Sequence, residues 1–267
     1  MAALTDLTVL LITFNEEANI RRTLDSLCWA TQILVVDSGS DDGTLRILQA
    51  YENVRLFQRA FQNFADQCNF GLDQVQTPWV LSIDADYVFP PGCQRTIERV
   101  LTDENAVHQA QFDYCIYGQP VRGSILPPRV VLYRTANARY ENDGHGHRVA
   151  AQGTVKTLPF RIRHDDRKPL SRWLQSQVTY ARQEAEKIAL TPSVQLNRND
   201  RIRKAIVLAP PLVFLQVYIV RGGFISGWRG LFYALQRFTA EILLSLFLTD
   251  AKLKSVIHDS ADTETRR

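Results

Sequence analysis

The chain has 267 residues, which is long enough for one large domain or for a domain with an appendage. With 45% hydrophobic and 22% charged residues it is expected to be globular, so a disordered polypeptide is excluded. A formal net charge of +3 is too small to indicate nucleic-acid binding.

Short apolar runs and helical patterns alternate through the first part of the chain. Four runs predict buried strands, at residues 9–13, 33–36, 54–57 and 79–83. The apolar face of the first predicted helix is formed by Ile20, Leu24, Leu27 and Cys28. Asn15 is expected to cap that helix. The alternation indicates right-handed βαβ units and an α/β fold with a mainly parallel, Rossmann-like sheet.

From about residue 107 the pattern changes. Residues 109–117 and 129–134 are predicted strands, separated by a loop rich in glycine and proline. Residues 140–149 are dense in polar and charged groups. Residues 170–190 are predicted to form a helix, and residues 191–204 follow it as a polar, basic stretch.

The last part of the chain carries a membrane signal. Residues 205–220 are apolar but are interrupted by prolines, and they fall short of the ~20 residues that a span requires. Residues 224–249 have an amphipathic pattern, with a narrow polar stripe opposite a broad apolar face. The members of that stripe are Arg229, Tyr233, Arg237 and Glu241. The preferred interpretation is a helix lying on a membrane surface, and the alternatives are packing on the sheet domain, dimerisation and a true span.

The four cysteines are widely spaced and include no C-x-x-C pair. Cys28 and Cys68 fall on the apolar faces of predicted helices, so buried free thiols are expected rather than disulfides. Because no basic and apolar leader with a cleavage site begins the chain, the cytoplasm is the default location.

Acidic segments follow three of the predicted strands, at the ends where ligands bind in parallel sheets. These segments are Thr13-Phe14-Asn15-Glu16-Glu17, Val35-Val36-Asp37-Ser38-Gly39-Ser40-Asp41-Asp42-Gly43-Thr44 and Asp84-Ala85-Asp86. Two carboxylates one residue apart at a strand end suit Mg²⁺ or Mn²⁺ held on a diphosphate, because hard cations prefer oxygen ligands.

In order and context, these motifs resemble those of family 2 glycosyltransferases with the GT-A fold. Later segments resemble the lipopolysaccharide core-heptose β-glucosyltransferase branch of that family. These segments are His164-Asp165-Asp166-Arg167-Lys168, Trp173, Tyr180-Ala181, Glu184-Ala185 and Arg221-Gly222-Gly223-Phe224 with Gly227-Trp228-Arg229-Gly230.

The resemblance implies a nucleotide-sugar site. It places Thr13 and Glu16 beside the nucleotide, Asp37 at a uracil ring and Asp84 on the ribose or nucleotide side. Asn15, Ser38 and Ala85 belong to the same motifs and are assigned to the same site. The resemblance gives Asp86 the role of ligand to a metal that bridges both phosphates.

An inverting transfer also needs a general base for the acceptor hydroxyl. The family places this base on a loop after the Asp-x-Asp domain, often as an acidic pair. Asp143 is preferred here because Gly144 leaves room for a sugar, and Glu141 is the second candidate. The third option is that both acids are ordinary residues of a surface loop.

Other polar side chains are weaker candidates. His164 and His145 are candidate metal ligands, and His147 could contact metal, diphosphate or acceptor. A zinc site is not indicated, because neither His-x₃-His nor a cysteine pair is present. The candidate phosphate clamps, each of which is by default a surface residue, are Arg122, Arg129, Arg134 and Arg148.

The expected organisation is a GT-A domain over residues 1–165, divided into a nucleotide-binding half at about 6–102 and an acceptor half at about 103–165. Residues 166–204 are expected to form a helical linker region. Residues 205–267 are expected to form an amphipathic or apolar helical tail that associates with a membrane.

The expected activity is metal-assisted direct displacement that moves a hexose from a nucleotide-diphosphate sugar to a lipid-linked glycan. Glucose, UDP and an inner-core heptose acceptor rest on the resemblance, with Mg²⁺ or Mn²⁺ as cofactor. The enzyme is expected at the inner face of the cytoplasmic membrane, without nucleic acid, and with self-association left open.

Two alternative functions remain at this stage. One is a transferase to a polyprenyl-phosphate carrier or capsule intermediate, and the other is a non-catalytic scaffold that binds nucleotide sugars. A dinucleotide-dependent dehydrogenase is disfavoured because no G-x-G-x-x-G turn follows the first strand.

Overall fold

The structure is a computed structural model that describes residues 3–103, 105–143 and 146–265, with side chains at the same positions apart from 143, 146, 147 and 256–265. The strands within these residues are β1 (Leu7–Thr13), β2 (Ile33–Asp37), β3 (Val54–Gln58), β4 (Trp79–Asp84), β5 (Tyr87–Val88), β6 (Ala106–Ile116), β7 (Gln119–Pro120), β8 (Arg129–Arg134), β9 (Ala138–Asp143), β10 (Gly146–Ala151) and β11 (Thr154–His164). The α-helices are α1 (Ile20–Ser26), α2 (Thr44–Leu48), α3 (Phe64–Gln74), α4 (Cys93–Val100), α5 (Leu170–Leu190), α6 (Arg198–Lys204), α7 (Ala209–Leu215) and α8 (Gly227–Thr265).

One mixed sheet has the strand order β3-β2-β1-β4-β8-β6-β11-β5, with β7 paired to β6. Strands β1 to β4 are parallel, which confirms the predicted βαβ units, and β8 runs antiparallel to both β4 and β6. The register sets Thr13 beside Asp37 and Ile12 beside Asp84. The loops after β1, β2 and β4 therefore leave the sheet at the same edge.

The alternating side chains of β1 fill a core on each face of the sheet. Leu7, Val9 and Leu11 point to the face covered by α1 and α4, whereas Leu10 points to the face covered by α3. This alternation follows from the two-residue period of a strand. Both faces are buried, so the sheet holds its carboxyl edge rigidly.

Two expectations about the first helix are wrong. Helix α1 ends at Ser26, so Cys28 lies beyond it and is exposed, although Cys68 is buried as predicted and all four thiols are free. Asn15 does not cap α1, which begins at Ile20. Asn15 instead adopts a left-handed conformation with φ 54°, which asparagine tolerates better than most residues.

The sequence predicted no strand at β5, at β11 or in the β9–β10 hairpin. Strand β5 is only two residues long, and β11 has mostly exposed side chains and a register shift between Thr157 and Arg161, so neither has a clear alternating pattern. The polar segment around Tyr140 forms the hairpin β9–β10, which packs against α3. Strand β11 matters for the site because it ends at His164, opposite Tyr87 of β5.

The chain forms two compact units, one of residues 1–120 and 126–168 and one of residues 121–125 and 169–267. In the second unit α5 and α8 pack together over a core formed by Ala181, Ala185, Ile188, Leu244 and Leu248. Among the described residues, one helical stretch, Gly223–Ser255, is long and apolar enough to cross a membrane, with mean hydropathy 1.4 and only 28% of its apolar window buried.

Two members of the polar stripe of α8, Tyr233 and Glu241, face the interior of this second unit. Tyr233 is buried, and its hydroxyl accepts a hydrogen bond of 3.2 Å from the backbone N–H of Ile125. Glu241 binds Arg203 at 2.7 Å, and Arg203 also lies 3.6 Å from Glu184. Leu246, by contrast, is exposed. Tyr233 and Glu241 are therefore paired inside the unit, whereas Arg229 is exposed.

Candidate active site

The loop after β2 is organised by one buried carboxylate. Asp37 Oδ1 accepts hydrogen bonds of 2.9 Å from the backbone N–H groups of Gly39 and Ser40, and Oδ2 accepts from the hydroxyls of Thr13 and Ser40. A carboxylate offers about four acceptor positions, so all are used. Ser38 continues this network by donating its N–H to Thr13 O and accepting from Gln67 Nε2 at 3.0 Å.

The loops after β1 and β2 are joined directly. Asn15 Nδ2 donates to Asp41 Oδ1 at 2.7 Å, and the Asp41 N–H donates back to Asn15 Oδ1 at 3.0 Å. The N–H of Asn15 also donates to Ser40 Oγ, and that of Glu16 donates to Thr44 Oγ1. Two of the predicted motifs therefore form one rigid rim at the sheet edge.

Glu16 forms a largely buried ion pair with Lys168. The Lys168 ammonium donates to Glu16 Oε1 at 2.6 Å, and Asn19 Nδ2 donates to Oε2 at 2.8 Å. Burial raises the pKa of Glu16 to about 7, against the opposing pull of Lys168 and with a smaller contribution from Asp86. Glu16 is thus already bound to the protein through both oxygens.

The segment after β11 is tied to the start of α1. Asp166 accepts from Asn19 at 2.8 Å, and Arg22 donates to the backbone oxygen of Asp165 at 2.7 Å. The Asp165 carboxylate is buried, and Arg167 binds it at 2.8 Å. These contacts bring the His164-Asp165-Asp166-Arg167-Lys168 motif to the same sheet edge as the acidic loops. Sequence reasoning singled out that motif but missed the partners Asn19 and Arg22.

The two aspartates after β4 have different surroundings. Asp84 is partly exposed, and its Oδ2 lies 3.2 Å from Arg129 Nη1, which also donates to the Tyr87 hydroxyl at 3.3 Å. Burial and the nearby Asp84 charge raise the pKa of Tyr87 well above 10. Ala85 is buried, and its carbonyl accepts from Thr23 Oγ1 at 2.7 Å, which fixes the turn between the two acids.

Asp86 is buried and paired with His164, whose Nε2 lies 3.0 Å from Asp86 Oδ2. Burial alone lowers the pKa of His164, but Asp86, through its charge and its hydrogen bond, raises the value overall. The Tyr87 and Tyr114 rings contact the imidazole edge-on, with centroids 5.3 Å away in both cases. This packing holds the imidazole in place.

The Asp86–His164 pair fits a bound cation. Asp86 Oδ1 and His164 Nδ1 are buried, and neither has a hydrogen-bond partner within the described part of the chain. Unpaired buried polar atoms are costly, and a carboxylate oxygen with an imidazole nitrogen is a donor set that Mn²⁺ and related metals accept. Among the described residues no three His, Cys, Asp or Glu side chains come together, so a cation here would need ligands from a bound diphosphate.

The candidate bases lie on the β9–β10 hairpin. Glu141 is exposed, and its Oε2 lies 3.2 Å from Arg148 Nη2. The backbone of Asp143 pairs with Gly146 at the end of the hairpin, but its side chain and that of His147 lie outside the description, as does all of His145.

The hairpin is fixed to the sheet through Tyr140. The Tyr140 hydroxyl lies 2.6 Å from both Ser82 Oγ and the Tyr133 hydroxyl, and both tyrosines are buried. Asn69 of α3 makes two hydrogen bonds with the Tyr140 backbone, at 2.9 and 3.0 Å. Glu141, the next residue, therefore has a fixed backbone position.

Three of the four candidate arginine clamps already have a side-chain contact. Arg129 and Arg148 pair with Asp84 and Glu141, and the Arg134 guanidinium lies over the Trp79 ring at 5.4 Å. Arg122 belongs to the second unit, where its backbone N–H donates to Ser226 Oγ at 2.9 Å. Of the four, only Arg129 contacts an acid of the Asp84-Ala85-Asp86 motif in the described structure.

Comparison with known proteins agrees with this geometry. Residues 8–156 match the family model described as Glycosyl transferase family 2. The chain is 26% identical over 269 residues to a Rhizobium meliloti (strain 1021) protein named lipopolysaccharide core biosynthesis glycosyltransferase LpsC, covering 92% of this chain and 91% of that relative. It is 31% identical over 96 residues to an uncharacterized glycosyltransferase of Rickettsia typhi, covering 36% of this chain and 32% of the relative.

Two of the similar solved structures are of TarS from S. aureus. Residues 1–349 of TarS align at 17% identity and a TM-score of 0.45, over 88% of this chain and 80% of that one. The TarS complex with UDP-GlcNAc aligns at 15% identity and a TM-score of 0.46, over 93% and 92% of the two chains.

Proposed function

Because the chain belongs to glycosyl transferase family 2, we propose that it moves a hexose from a nucleotide-diphosphate sugar to a lipid-linked glycan by inverting displacement. Membership makes the chain a glycosyltransferase with the GT-A fold. The finer terms of the proposal are glucose as the sugar, UDP as the carrier and an inner-core heptose as the acceptor.

The observation that carries the proposal is the gathering of three motifs at one sheet edge. The Asp37-centred loop, the Glu16–Lys168 pair and the Asp86–His164 pair all lie where β1, β2, β4 and β11 end. Ligands of open α/β sheets bind beyond the carboxyl ends of the parallel strands. In this proposal, polar groups at the same edge contact the nucleoside, and the Asp86–His164 pair would hold the cation that binds the diphosphate.

In this proposal Thr13, Asn15, Glu16 and Ser38 form the nucleoside wall, and Asp84 receives the ribose. Asp37 acts chiefly by holding the loop, since its four acceptor positions are filled, and a base contact would require it to exchange one of them. Lys168, whose side chain is partly exposed, is an added candidate for a phosphate contact.

Asp86 and His164 are the residues that would hold Mg²⁺ or Mn²⁺, with His145 as a further candidate that lies outside the described residues. When bound, such a cation neutralises the negative charge of the departing diphosphate. The protein's own part is to keep a carboxylate and an imidazole in fixed positions, which Ala85 and the flanking tyrosines accomplish.

Asp143 is the proposed general base, with Glu141 as the alternative. Either carboxylate would take the proton from the acceptor hydroxyl as that oxygen attacks the anomeric carbon, and the nucleoside diphosphate would leave from the opposite face. Glu141 would have to leave its partner Arg148, whose Nη2 lies 3.2 Å from Glu141 Oε2, before it could take up a proton from an acceptor. This contact supports the preference for Asp143.

The name of the LpsC relative supports a role in lipopolysaccharide biosynthesis, and with it an envelope-lipid acceptor. We place the enzyme at the inner face of the cytoplasmic membrane, held there by its second unit. The alternatives are a polyprenyl-phosphate or capsule-type transferase and, in another class, a scaffold that binds nucleotide sugars without turnover.

The test is donor hydrolysis by the purified chain against a panel of UDP-, GDP- and dTDP-sugars, with Mg²⁺, with Mn²⁺ and with EDTA. Metal-dependent release of UDP from UDP-glucose alone is the expected result. Asp86→Ala should abolish the release, whereas Glu52→Ala, an exposed acid just before the amino end of β3, should not change it.

Two results would contradict the proposal. Hydrolysis that persists in EDTA and in Asp86→Ala would remove the metal role. Calorimetric binding of a donor without any turnover, with lipid acceptor extracts present, would favour the scaffold.

A further inference from the structure

The second unit exposes a continuous apolar stripe. Leu208, Leu212, Leu215 and Ile219 recur at helical spacing along α7 and the π-helical turn that follows it, Gln216–Val220, and each is 50–54% exposed. The stripe includes Val220 at the end of that turn and continues beyond it with Phe224, Ile225 and Trp228. Trp228 is 86% exposed, so roughly 200 Å² of one aromatic side chain faces outward.

These side chains do not belong to the core of the second unit. The core between α5 and α8 is formed by other positions, and three charged side chains of the unit, Arg203, Glu184 and Glu241, are paired with one another. A patch of this size is rare on a soluble monomer, where contiguous apolar patches seldom exceed a few hundred Å². The second unit therefore has an apolar core and, apart from it, an exposed apolar surface.

The corner that presents the stripe is closely packed. A Cβ added at Gly230 would collide with the carbonyl oxygen of Gly223, and one added at Gly223 would lie 2.7 Å from that of Val217. Arg221 Nη1 donates to the Ser124 carbonyl at 3.0 Å. The stripe is therefore displayed on a fixed scaffold.

The charge around the stripe has one sign. Residues 198–229 include six basic residues and one acid, Asp200, which is buried and lies 3.5 Å from Arg203. Five of the basic residues are exposed, namely Arg198, Arg201, Lys204, Arg221 and Arg229. Such a surface is complementary to anionic phosphates, and each basic group near an anionic leaflet adds to its attraction.

We propose that this stripe inserts into one leaflet of an anionic phospholipid bilayer, with the flanking arginines and lysine at the headgroups. The helix α8 lies along the membrane and does not cross it, because Glu241, which pairs with Arg203 of α6, falls near the middle of the apolar stretch, where charge is most costly. This inference rests on the proposed function in one respect: binding to the membrane would bring the enzyme to its lipid-linked acceptor.

The test is co-flotation of the full chain with vesicles of phosphatidylcholine, with and without phosphatidylglycerol. The chain should float with the anionic vesicles, and raised salt should weaken that binding. Leu212→Glu with Leu215→Glu should lower the bound fraction by more than about tenfold, because inserting one leucine is worth at least that factor. Val155→Glu, on an equally exposed valine of β11, is the matched control and should bind like the parent.

Quenching of Trp228 fluorescence by lipids brominated near the headgroup completes the test, with Trp228→Phe identifying the signal. Thermal melts verify that each variant is folded. Unchanged flotation of the double variant would overturn the proposal, as would equal binding to neutral vesicles at high salt. A dimer that the double variant dissociates would assign the stripe to a second copy, and resistance to alkaline carbonate would assign α8 to a span.

Donor hydrolysis is measured on the same preparations. If hydrolysis is retained while flotation fails, the membrane surface is wrong and the glycosyltransferase stands. If flotation holds while no donor is turned over or bound, the surface stands and the proposed function is wrong.

Discussion

Replacing Tyr140 by phenylalanine tests how the β9–β10 hairpin is anchored, without changing the candidate bases that the hairpin carries. The change removes one buried hydroxyl that lies 2.6 Å from both Ser82 Oγ and the Tyr133 hydroxyl. The two hydrogen bonds between Asn69 and the Tyr140 backbone stay in place. The hairpin should therefore remain folded but lose its link to β4, the strand that leads into Asp84.

The cost follows from which groups lose a partner. The Tyr133 hydroxyl is also within hydrogen-bonding reach of Ser82, so these two can satisfy each other after the substitution. The substitution therefore removes about one buried hydrogen bond, and the new contact between Tyr133 and Ser82 replaces the other imperfectly. The free energy of unfolding should fall by ~2 kcal/mol. For a unit of this size that corresponds to a fall in Tm of roughly 4–8 °C.

The catalytic effect should be larger than the stability effect implies. If the hairpin carries the base, loosening it should lower kcat about tenfold while the KM for the donor stays the same, because a small misplacement of a reacting group is expensive. Asn69→Ala removes the side chain of α3 that anchors the Tyr140 backbone, and it should likewise lower kcat without changing the KM for the donor.

Tyr51→Phe is the matched control, since it removes a tyrosine hydroxyl that binds Asp25 near the surface at 2.6 Å. It should change neither kcat nor Tm by more than a small amount. A lowered Tm with unchanged kcat in Tyr140→Phe would show that the position of the hairpin does not matter for turnover. The general base would then have to lie elsewhere.

Three further predictions concern the acids of the site. Asp143→Asn should lower kcat by roughly 10²–10⁴ with donor binding intact in calorimetry, and the same loss in Glu141→Gln instead would reassign the base. Asp37→Asn should weaken UDP binding about tenfold, because an amide cannot accept all four of its hydrogen bonds, and unchanged affinity would contradict its role in holding the loop. The pKa of Glu16, about 7 when folded against 4.5 as a free side chain, means that the folded state binds the extra proton between those values. Unfolding free energy should thus fall by up to about 3 kcal/mol as pH rises through that window, and Glu16→Gln should flatten the profile in denaturant titrations.

The nucleotide-binding half could be predicted because its signals are local and agree with one another. Strands β1, β2 and β4 are mainly apolar and buried, as expected where both faces of a parallel sheet are covered, whereas the edge strand β3 carries the exposed Arg55. The register that places Thr13 beside Asp37 follows from that topology. Helix α5 was predicted with its exact bounds for a similar reason, since its 3.6-residue period runs uninterrupted.

The other half of the site depends on contacts that no short window contains. His164 reaches Asp86 because β11 pairs with β5, an element too short to have a pattern. Lys168 reaches Glu16 across 152 positions of sequence, and Asn19 links Glu16 to Asp166. The His164-Asp165-Asp166-Arg167-Lys168 segment was recognisable as a motif, but its partners follow only from the three-dimensional sheet order.

The helix α8 shows where pattern reasoning reaches a physical limit. An amphipathic period establishes that a helix has two faces, but it does not establish which face meets its neighbours. Leu244 and Leu248 turn inward, as apolar residues do in water, but Glu241 also turns inward, because Arg203 on α6 is present to pair with it. Leu246 of the same helix faces outward. Which residues of α8 meet the core therefore depends on a partner on another helix, and the leucine left outside adds to the apolar surface for which we propose a lipid contact.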